Sequence, residues 1–290
     1  MNSVQSPHRD RLWTPWRMRY ISGGPSEDGC IFCNRLARAN DLESLILHRA
    51  EHCFLIMNLF PYNTGHLMIV PNAHVAEIDN IEPHVIAEMA RLLPPVVRAL
   101  RRVLGCDGFN IGFNQGAIAG AGVAEHLHQH VVPRWQGDAN FMPIIAGTMV
   151  IPELIPSTYA KVRNELDAEI HGVSRFEIIL IDDADNPNVW LRDDAVPVVV
   201  AAPESPVWTS VVSSFKLQDT EFIGYSGAPS TLDRTTTPGL VIRTTSLPNG
   251  SGWRRVPFFP HDQADSISAG TNEILLRVRS NLAPWIESRR

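Results

Sequence analysis

The sequence predicts an α+β fold: a mainly antiparallel five-stranded sheet with one long helix in its first part, followed by a β-rich C-terminal extension or second domain. Three observations lead there. His126, His128 and His130 stand at i, i+2 and i+4 between apolar residues. In a helix the second and third would sit about 200° and 400° around the axis from the first, whereas a strand presents all three on one side, with Leu127 and Val131 behind. Between about residues 82 and 104, Val85, Met89, Leu92, Val96, Leu100 and Val103 recur at helical spacing, with Arg91, Arg98, Arg101 and Arg102 towards water. The remaining apolar segments are short, rich in β-branched residues and bounded by Pro, Gly, Asn and Asp.

In chain order, residues 10–21 are aromatic and basic and are expected to form a packed arm, and residues 22–29 a loop. Cys30 and Cys33 follow, then a short helix from Asn34 to about Ala39. Residues 44–48 and 53–57 form an antiparallel pair joined by a polar turn, and the turn-rich 58–65 leads into a strand over 66–71. Pro94 and Pro95 should kink or split the long helix, because proline has no amide to donate. Gly105 ends it. A strand over 109–114, a glycine-rich loop from Gly116 to Val123 and the histidine strand complete the first part. Helix follows at 159–170, strands at 176–181, 196–201, 210–213 and 239–245, and a last helix from Asn272 to about Ile286. The composition changes near residue 170, giving units over 10–170 and 171–290.

Bulk properties exclude several classes. A net charge of −6 argues against broad binding to nucleic acid, while leaving room for a local phosphate pocket. No apolar run reaches the roughly 20 residues of a membrane span, and the N-terminal residues have no signal-peptide core, so the cytoplasm is expected. Four cysteines are too few for a disulfide scaffold. Nine of the eleven histidines lie before residue 131, which places the chemistry in the first half.

Cys30 and Cys33 supply two thiolates from one turn, half of a tetrahedral zinc site. A redox dithiol has the same spacing but belongs at the start of a helix that follows a strand. Two imidazoles must complete a metal site, and composition alone does not choose His74 and His126 over His48 or His52. The histidine row suits metal binding or nucleophilic catalysis near neutral pH. It is no tag remnant, since it lies mid-chain and alternates strictly.

The segment His126–Val132 resembles the signature of the histidine triad (HIT) superfamily. The wider pattern resembles that superfamily's bacterial diadenosine tetraphosphate phosphorylase branch, of actinobacterial type. The residues that carry this are Leu12–Tyr20, Cys30–Cys33, Asn58–Pro71, Gly112–Val123, His126–Trp135 and Asn140–Pro143. The likeness covers about residues 10 to 165 and none of 171–290. Gln129 fills a slot that the general signature makes apolar, which favours the phosphorylase branch. His130 stands where galactose-1-phosphate uridylyltransferase relatives have glutamine.

The resemblance implies a HIT-like catalytic domain over 10–170, while the strand-like runs after His171 read as a β-rich α+β domain of unassigned role over 171–290. It implies a structural zinc held by Cys30, Cys33, His74 and His126, with no open position. It makes His128 the nucleophile towards the α-phosphorus of a nucleotide, its other ring nitrogen held by a carbonyl. His130 and His66 would stabilise charge or protonate the leaving group, although a buried, hydrogen-bonded histidine is the alternative for His66. Asn114, Gln115, Gly120 and Gly122 would contact phosphate, with amides of residues 116–122 forming an anion nest. Asn58 would bind ribose and Phe60 line the base pocket, unless they are turn and core residues. A homodimer is also implied.

Three functions follow as expectations. The leading one is a nucleotidyl transferase that cleaves diadenosine tetraphosphate with inorganic phosphate to ATP and ADP through a nucleotidyl-histidine. The second is a hydrolase or a transferase to another acceptor, such as ammonia. The third is a non-catalytic nucleotide-binding scaffold. In the C-terminal half, with two histidines and no cysteine, an independent metal or thiol site is not expected.

Overall fold

The computed structural model of the chain describes residues 28–138, 155–182, 187–218, 220–225, 237–245, 250–258 and 271–276, with residues 248 and 278. The arm expected at 10–21, the Asn140–Pro143 motif and most of the C-terminal helix lie outside them, though residues 271–276 are helical.

The first part contains helices α1 (Ile31–Ala37) and α2 (Asp41–Ser44), strands β1 (Ile46–Arg49), β2 (Cys53–Met57) and β3 (Leu67–Pro71), helix α3 (Pro83–Leu104), and strands β4 (Gly108–Phe113) and β5 (Gln129–Arg134). They form an antiparallel five-stranded sheet in the order β1-β2-β3-β5-β4. Register decides what shares a face. Ile56 pairs Met68, Met68 pairs His130, and these three lie side by side. Leu67, Ile69 and Val131 occupy the opposite set and are buried in the main core, as are Val85, Met89, Leu92, Val96, Leu100 and Val103 of α3.

The histidine segment differs slightly from expectation. The hydrogen-bonded strand begins only at Gln129, while the Leu127 amide donates to the carbonyl of Val75 at 2.6 Å instead of to a sheet neighbour. The helix starts earlier than expected, so the cysteine pair lies at its beginning: Cys30 precedes its first residue and Cys33 falls in its first turn.

Helix α3 is not split by Pro94 and Pro95, as its 22 residues run unbroken. Their missing amides leave the carbonyls of Ala90 and Arg91 without their usual helical donors, and both are exposed residues, where the loss costs less than it would in the core. The buried stripe is untouched and fixes the helix by packing. Gly65 caps the turn before β3 with φ +76°, and a side chain there would run into the side chain of Leu104. Only glycine lets this turn close onto α3 and deliver His66 to the sheet.

Helix α4 (Ile155–His171) then leads to β6 (Arg175–Asp182), β7 (Asn188–Arg192), β8 (Val198–Val200), α5 (Val207–Phe215), β9 (Thr220–Tyr225), β10 (Gly239–Thr244) and β11 (Trp253–Pro257). The second sheet runs β11-β7-β6-β10-β9, with β8 also on β6 and β6 parallel to β10. The strand expected at 210–213 is instead the middle of α5. Pro206 precedes the helix, the Val207 amide donates to the Glu165 carboxylate at 2.9 Å, and Val207, Ser210, Val211 and Phe215 are buried at helical spacing. A short β-branched run did not reveal that period.

The change expected near residue 170 falls at the end of α4. This helix touches both sheets: Tyr159 Oη and Arg163 donate to the carbonyl of Ile46 on edge strand β1 at 2.7 and 3.2 Å, and Tyr225 of β9 donates to Asp167 at 2.8 Å. Among the described residues no helix is long and apolar enough to cross a membrane.

Candidate active site and metal centre

A cavity of about 240 Å³ opens between α1, the end of α2, β2 with the loop after it, β3 and the segment leading into β5. Its walls are mostly apolar, from Phe32, Leu45, Ile56 and Met68 among others, and His128 and His130 lie on its surface. Asn58 and Phe60 line it, as does Gly122.

Hydrogen bonds assign the hydrogens on the rings. His128 Nδ1 lies 2.8 Å from the carbonyl of His126. A carbonyl only accepts, so Nδ1 carries the hydrogen and Nε2 keeps its lone pair. Burial lowers the affinity of His128 for a second proton, partly offset by that carbonyl bond, so the ring is neutral at pH 7.

His66 and His130 form a second, linked system. The Tyr62 amide donates to His66 Nδ1 at 3.0 Å, which leaves the hydrogen of His66 on Nε2. That nitrogen lies 2.9 Å from His130 Nδ1. His130 Nδ1 is therefore the acceptor, and its Nε2 carries the hydrogen. Asn114 Nδ2 lies 3.4 Å from His130 Nε2, and a half-turn of the amide, which exchanges its nitrogen and oxygen, presents the oxygen to that hydrogen. Burial, then repulsion from His130 and His128, pushes the His66 pKa down to about 3, so it stays neutral. Asn58 holds the start of this loop: its Oδ1 accepts from the Phe60 amide at 2.9 Å, and its Nδ2 lies 3.3 Å from His66 Nδ1. The Tyr62 ring stacks on His130 at 5.7 Å.

Gln115 and part of the glycine loop are engaged within the fold. Gln115 Oε1 accepts from the Ile78 amide at 3.0 Å. The amides of Ala119, Gly120 and Ala121 donate to Gly116 and Ala117 within the loop, because residues 117–119 curl into a 3₁₀ turn. Of Gly120 and Gly122, only Gly122 reaches the cavity wall, beside Val123.

At the other end of the histidine segment, Cys30, Cys33, His74 and His126 bring their ligand atoms within 4.8 Å of one another. Cys30 Sγ lies 3.3 Å from His126 Nδ1, and Cys33 Sγ lies 3.4 Å from His74 Nδ1 and 3.6 Å from His126 Nδ1. With zinc–sulfur and zinc–nitrogen bonds of about 2.3 and 2.0 Å, the edges of a tetrahedron are about 3.5 Å long, so the set fits zinc. His126 Nε2 lies 2.9 Å from the Pro71 carbonyl, which places its hydrogen there and turns the lone pair of Nδ1 to the thiols, the usual support for a metal-bound imidazole. His48 and His52, which spacing alone left open, are not in the cluster.

Phe32, Tyr62 and Val123 are site residues that sequence reasoning missed. The position of Phe32 inside Cys-x-x-Cys was the available signal. It is buried, edge-on to His126 at 5.4 Å and tilted on His128 at 5.1 Å.

Comparison with known proteins finds a match to the HIT domain family over residues 39–137. A protein named AP-4-A phosphorylase from Mycobacterium tuberculosis is 40% identical over 161 residues, 53% of this chain and 83% of that one. A protein named adenylylsulfatase HINT3 from Arabidopsis thaliana is 31% identical over 132 residues, covering 42% and 66% of the two chains. Among solved structures, a zinc-bound histidine triad family protein from Mycobacterium smegmatis aligns at 26% identity with a TM-score of 0.41, over 50% of this chain and 98% of that one.

Proposed function

The chain belongs to the HIT domain family, and on that premise we propose that it is a nucleotidyl transferase that cleaves diadenosine tetraphosphate with inorganic phosphate to ATP and ADP. The observation that carries the reading is His128, whose Nδ1 hydrogen is tied to the His126 carbonyl while the ring lies on the cavity wall. Its Nε2 attacks the α-phosphorus of the bound dinucleotide and displaces ATP, forming adenylyl-histidine. The hydrogen on His130 Nε2, fixed there by His66, goes to the leaving oxygen. Inorganic phosphate then attacks the adenylyl group, returns a proton to His130 and leaves as ADP. Asn114 stands next to His130 Nε2 and is the phosphate-positioning side chain this reading favours. The apolar cavity holds one adenine, with Phe60 on its wall and Asn58 at the ribose. Similarity to a protein named AP-4-A phosphorylase supports the choice of substrate.

The donor set supports a zinc ion held by Cys30, Cys33, His74 and His126. Once bound it would cross-link α1 to the histidine segment, and with four protein ligands it would present no open position for chemistry. Strand β4 is an edge strand with Asn110, Ile111 and Gly112 exposed, which supports pairing with a second copy in a homodimer.

A second reading keeps the covalent step and changes the acceptor to water or another nucleophile. The similarity to a protein named adenylylsulfatase favours it. Mass spectrometry of protein quenched with labelled dinucleotide, with and without phosphate, tests both. The expected result is an adenylyl adduct on His128 that phosphate discharges as ADP. Turnover that ignores phosphate would sink the phosphorylase reading, and absence of any adduct would sink the covalent one.

A further inference from the structure

Helix α1 has only seven residues and no side-chain cap at its first turn, too short to persist without anchors. Its C-terminal end has them: Arg49 donates to the carbonyls of Leu36 and Arg38 at 2.7 and 2.8 Å, and Arg35 to that of Glu43 at 2.8 Å. At its N-terminal end, Cys30 and Cys33 face His126 and His74. The same first turn contributes Ile31 and Phe32 to the cavity wall. Phe32 touches three things at once: the metal-facing imidazole of His126, the imidazole of His128, and the space in front of it.

We infer that Phe32 is a positioning residue that couples the metal centre to the nucleotide site, so that metal bound by Cys30, Cys33, His74 and His126 and nucleotide bound in the cavity each strengthen the other. The inference rests on the nucleotide reading above. Metal ligation fixes the first turn of α1, which sets the Phe32 ring against His126 and His128 and closes the wall that a base packs on. A base lying against Phe32 in turn holds the cysteines in register for the metal. The coupling is reciprocal by thermodynamic necessity: the factor by which nucleotide tightens metal equals the factor by which metal tightens nucleotide. It needs no open coordination position and no contact between the two ligands.

The experiment is a thermodynamic square on the full chain with AMP and Zn²⁺. Zinc affinity is read by competition with a chromogenic chelator, with and without saturating AMP. AMP affinity is read by calorimetry on the zinc-loaded and zinc-free protein. The expected result is one common factor of about fivefold or more on both sides of the square, the lower end of typical couplings. Phe32→Ala should bring it to within about twofold of unity while the protein still binds zinc, and Phe32→Tyr, which keeps the ring, should restore it. A factor of one in the unaltered protein, or an undiminished factor in Phe32→Ala, overturns the coupling while leaving the nucleotide reading intact. Failure of AMP to bind the zinc-loaded protein overturns the nucleotide reading and the coupling with it. The unaltered square decides the matter even where Phe32→Ala does not fold.

Discussion

His66 Nε2 lies 2.9 Å from His130 Nδ1, and the Tyr62 amide on the far side of His66 decides which of the two carries the hydrogen. A backbone amide cannot give up its role as donor, so the chain Tyr62 amide to His66 to His130 runs in one direction and delivers a hydrogen at His130 Nε2. His66→Asn breaks it and lets His130 adopt either tautomer. Turnover should fall about 10²-fold, the lower range for a positioned proton donor, with AMP affinity changed far less because the cavity wall does not contain His66. Steady-state kinetics with parallel AMP titration checks this. An unchanged turnover would show that His66 only fills space.

Removing the metal should loosen the protein before it touches any reacting atom. The four ligands come from α1, the loop after β3 and the histidine segment, so zinc ties together elements that are distant in sequence. A ligand that binds only the folded state stabilises by about 2.7 kcal/mol at one hundred times its dissociation constant. Chelation should therefore lower the unfolding midpoint by several degrees, and Cys33→Ser should abolish the response to chelator. Thermal scans with metal analysis decide it. A midpoint indifferent to chelator in a protein shown to hold zinc would contradict a structural metal.

How much of this was legible in the chain follows from the range of each interaction. Cys30 with Cys33, and His126 with His128 and His130, are local patterns whose spacing alone limits their geometry. The register that sets Met68 beside His130, and the contact of His66 with His130, join residues far apart in sequence. Family resemblance grouped His66 with His130 near the phosphate, but neither the register nor the direct contact was legible in the chain. The errors have the opposite origin. Residues 210–213 looked like a strand because four residues cannot distinguish a period of 2 from one of 3.6 when both neighbours are polar. Pro94 and Pro95 looked like a break because local chemistry did not reveal that the residues four back, Ala90 and Arg91, lie on the exposed side of a helix held by its buried stripe. At the glycine loop, composition likewise does not say which amides a 3₁₀ turn will occupy, and those of Ala119, Gly120 and Ala121 are taken within the loop.

Acid should destabilise the fold through two buried histidines. Burial, then the charge of Arg163 and repulsion from His171, pushes His48 down to about 3, and His66 is held at about 3 as well. Both lie below the unfolded value of about 6.5. As pH falls past that value the unfolded chain takes up protons that the folded chain refuses, so stability is full above it and drains away down to about pH 3. Each histidine contributes a slope of up to about 1.4 kcal/mol per pH unit in that window. Urea titrations at pH 7, 6 and 5 should show falling stability, and His48→Asn should remove one histidine's share of the slope, up to about 1.4 kcal/mol per pH unit. Stability unchanged between pH 7 and 5 would mean the two rings are not buried as neutral groups.

Arg163 gives the last prediction, because it is the charge that joins the two sheets. It is 2% exposed, donates to the Ile46 carbonyl on β1, and sits 3.7 Å from Asp41 and 3.8 Å from Asp167. Its guanidinium lies over the Tyr225 ring of β9 at 4.7 Å. Asp41 has a second partner in Arg49 at 2.8 Å, but the ion partner of Asp167 is Arg163, with the Tyr225 hydroxyl as its hydrogen-bond donor. Arg163→Met keeps the volume and strands a buried carboxylate, a change that costs about 3–5 kcal/mol. Burial already raises the Asp167 pKa against the pull of Arg163, and without the arginine it rises further. A carboxyl whose folded pKa lies above its unfolded one takes up its proton on folding, so the damage should grow as pH rises above about 4. Adding Asp167→Asn to Arg163→Met should recover part of the loss, with a coupling of about 1–3 kcal/mol between the two sites. Chemical denaturation of both single variants and the double, at pH 5 and pH 8, measures it. Additive losses with no pH dependence would mean that packing alone, and not this ion pair, holds α4 between the sheets.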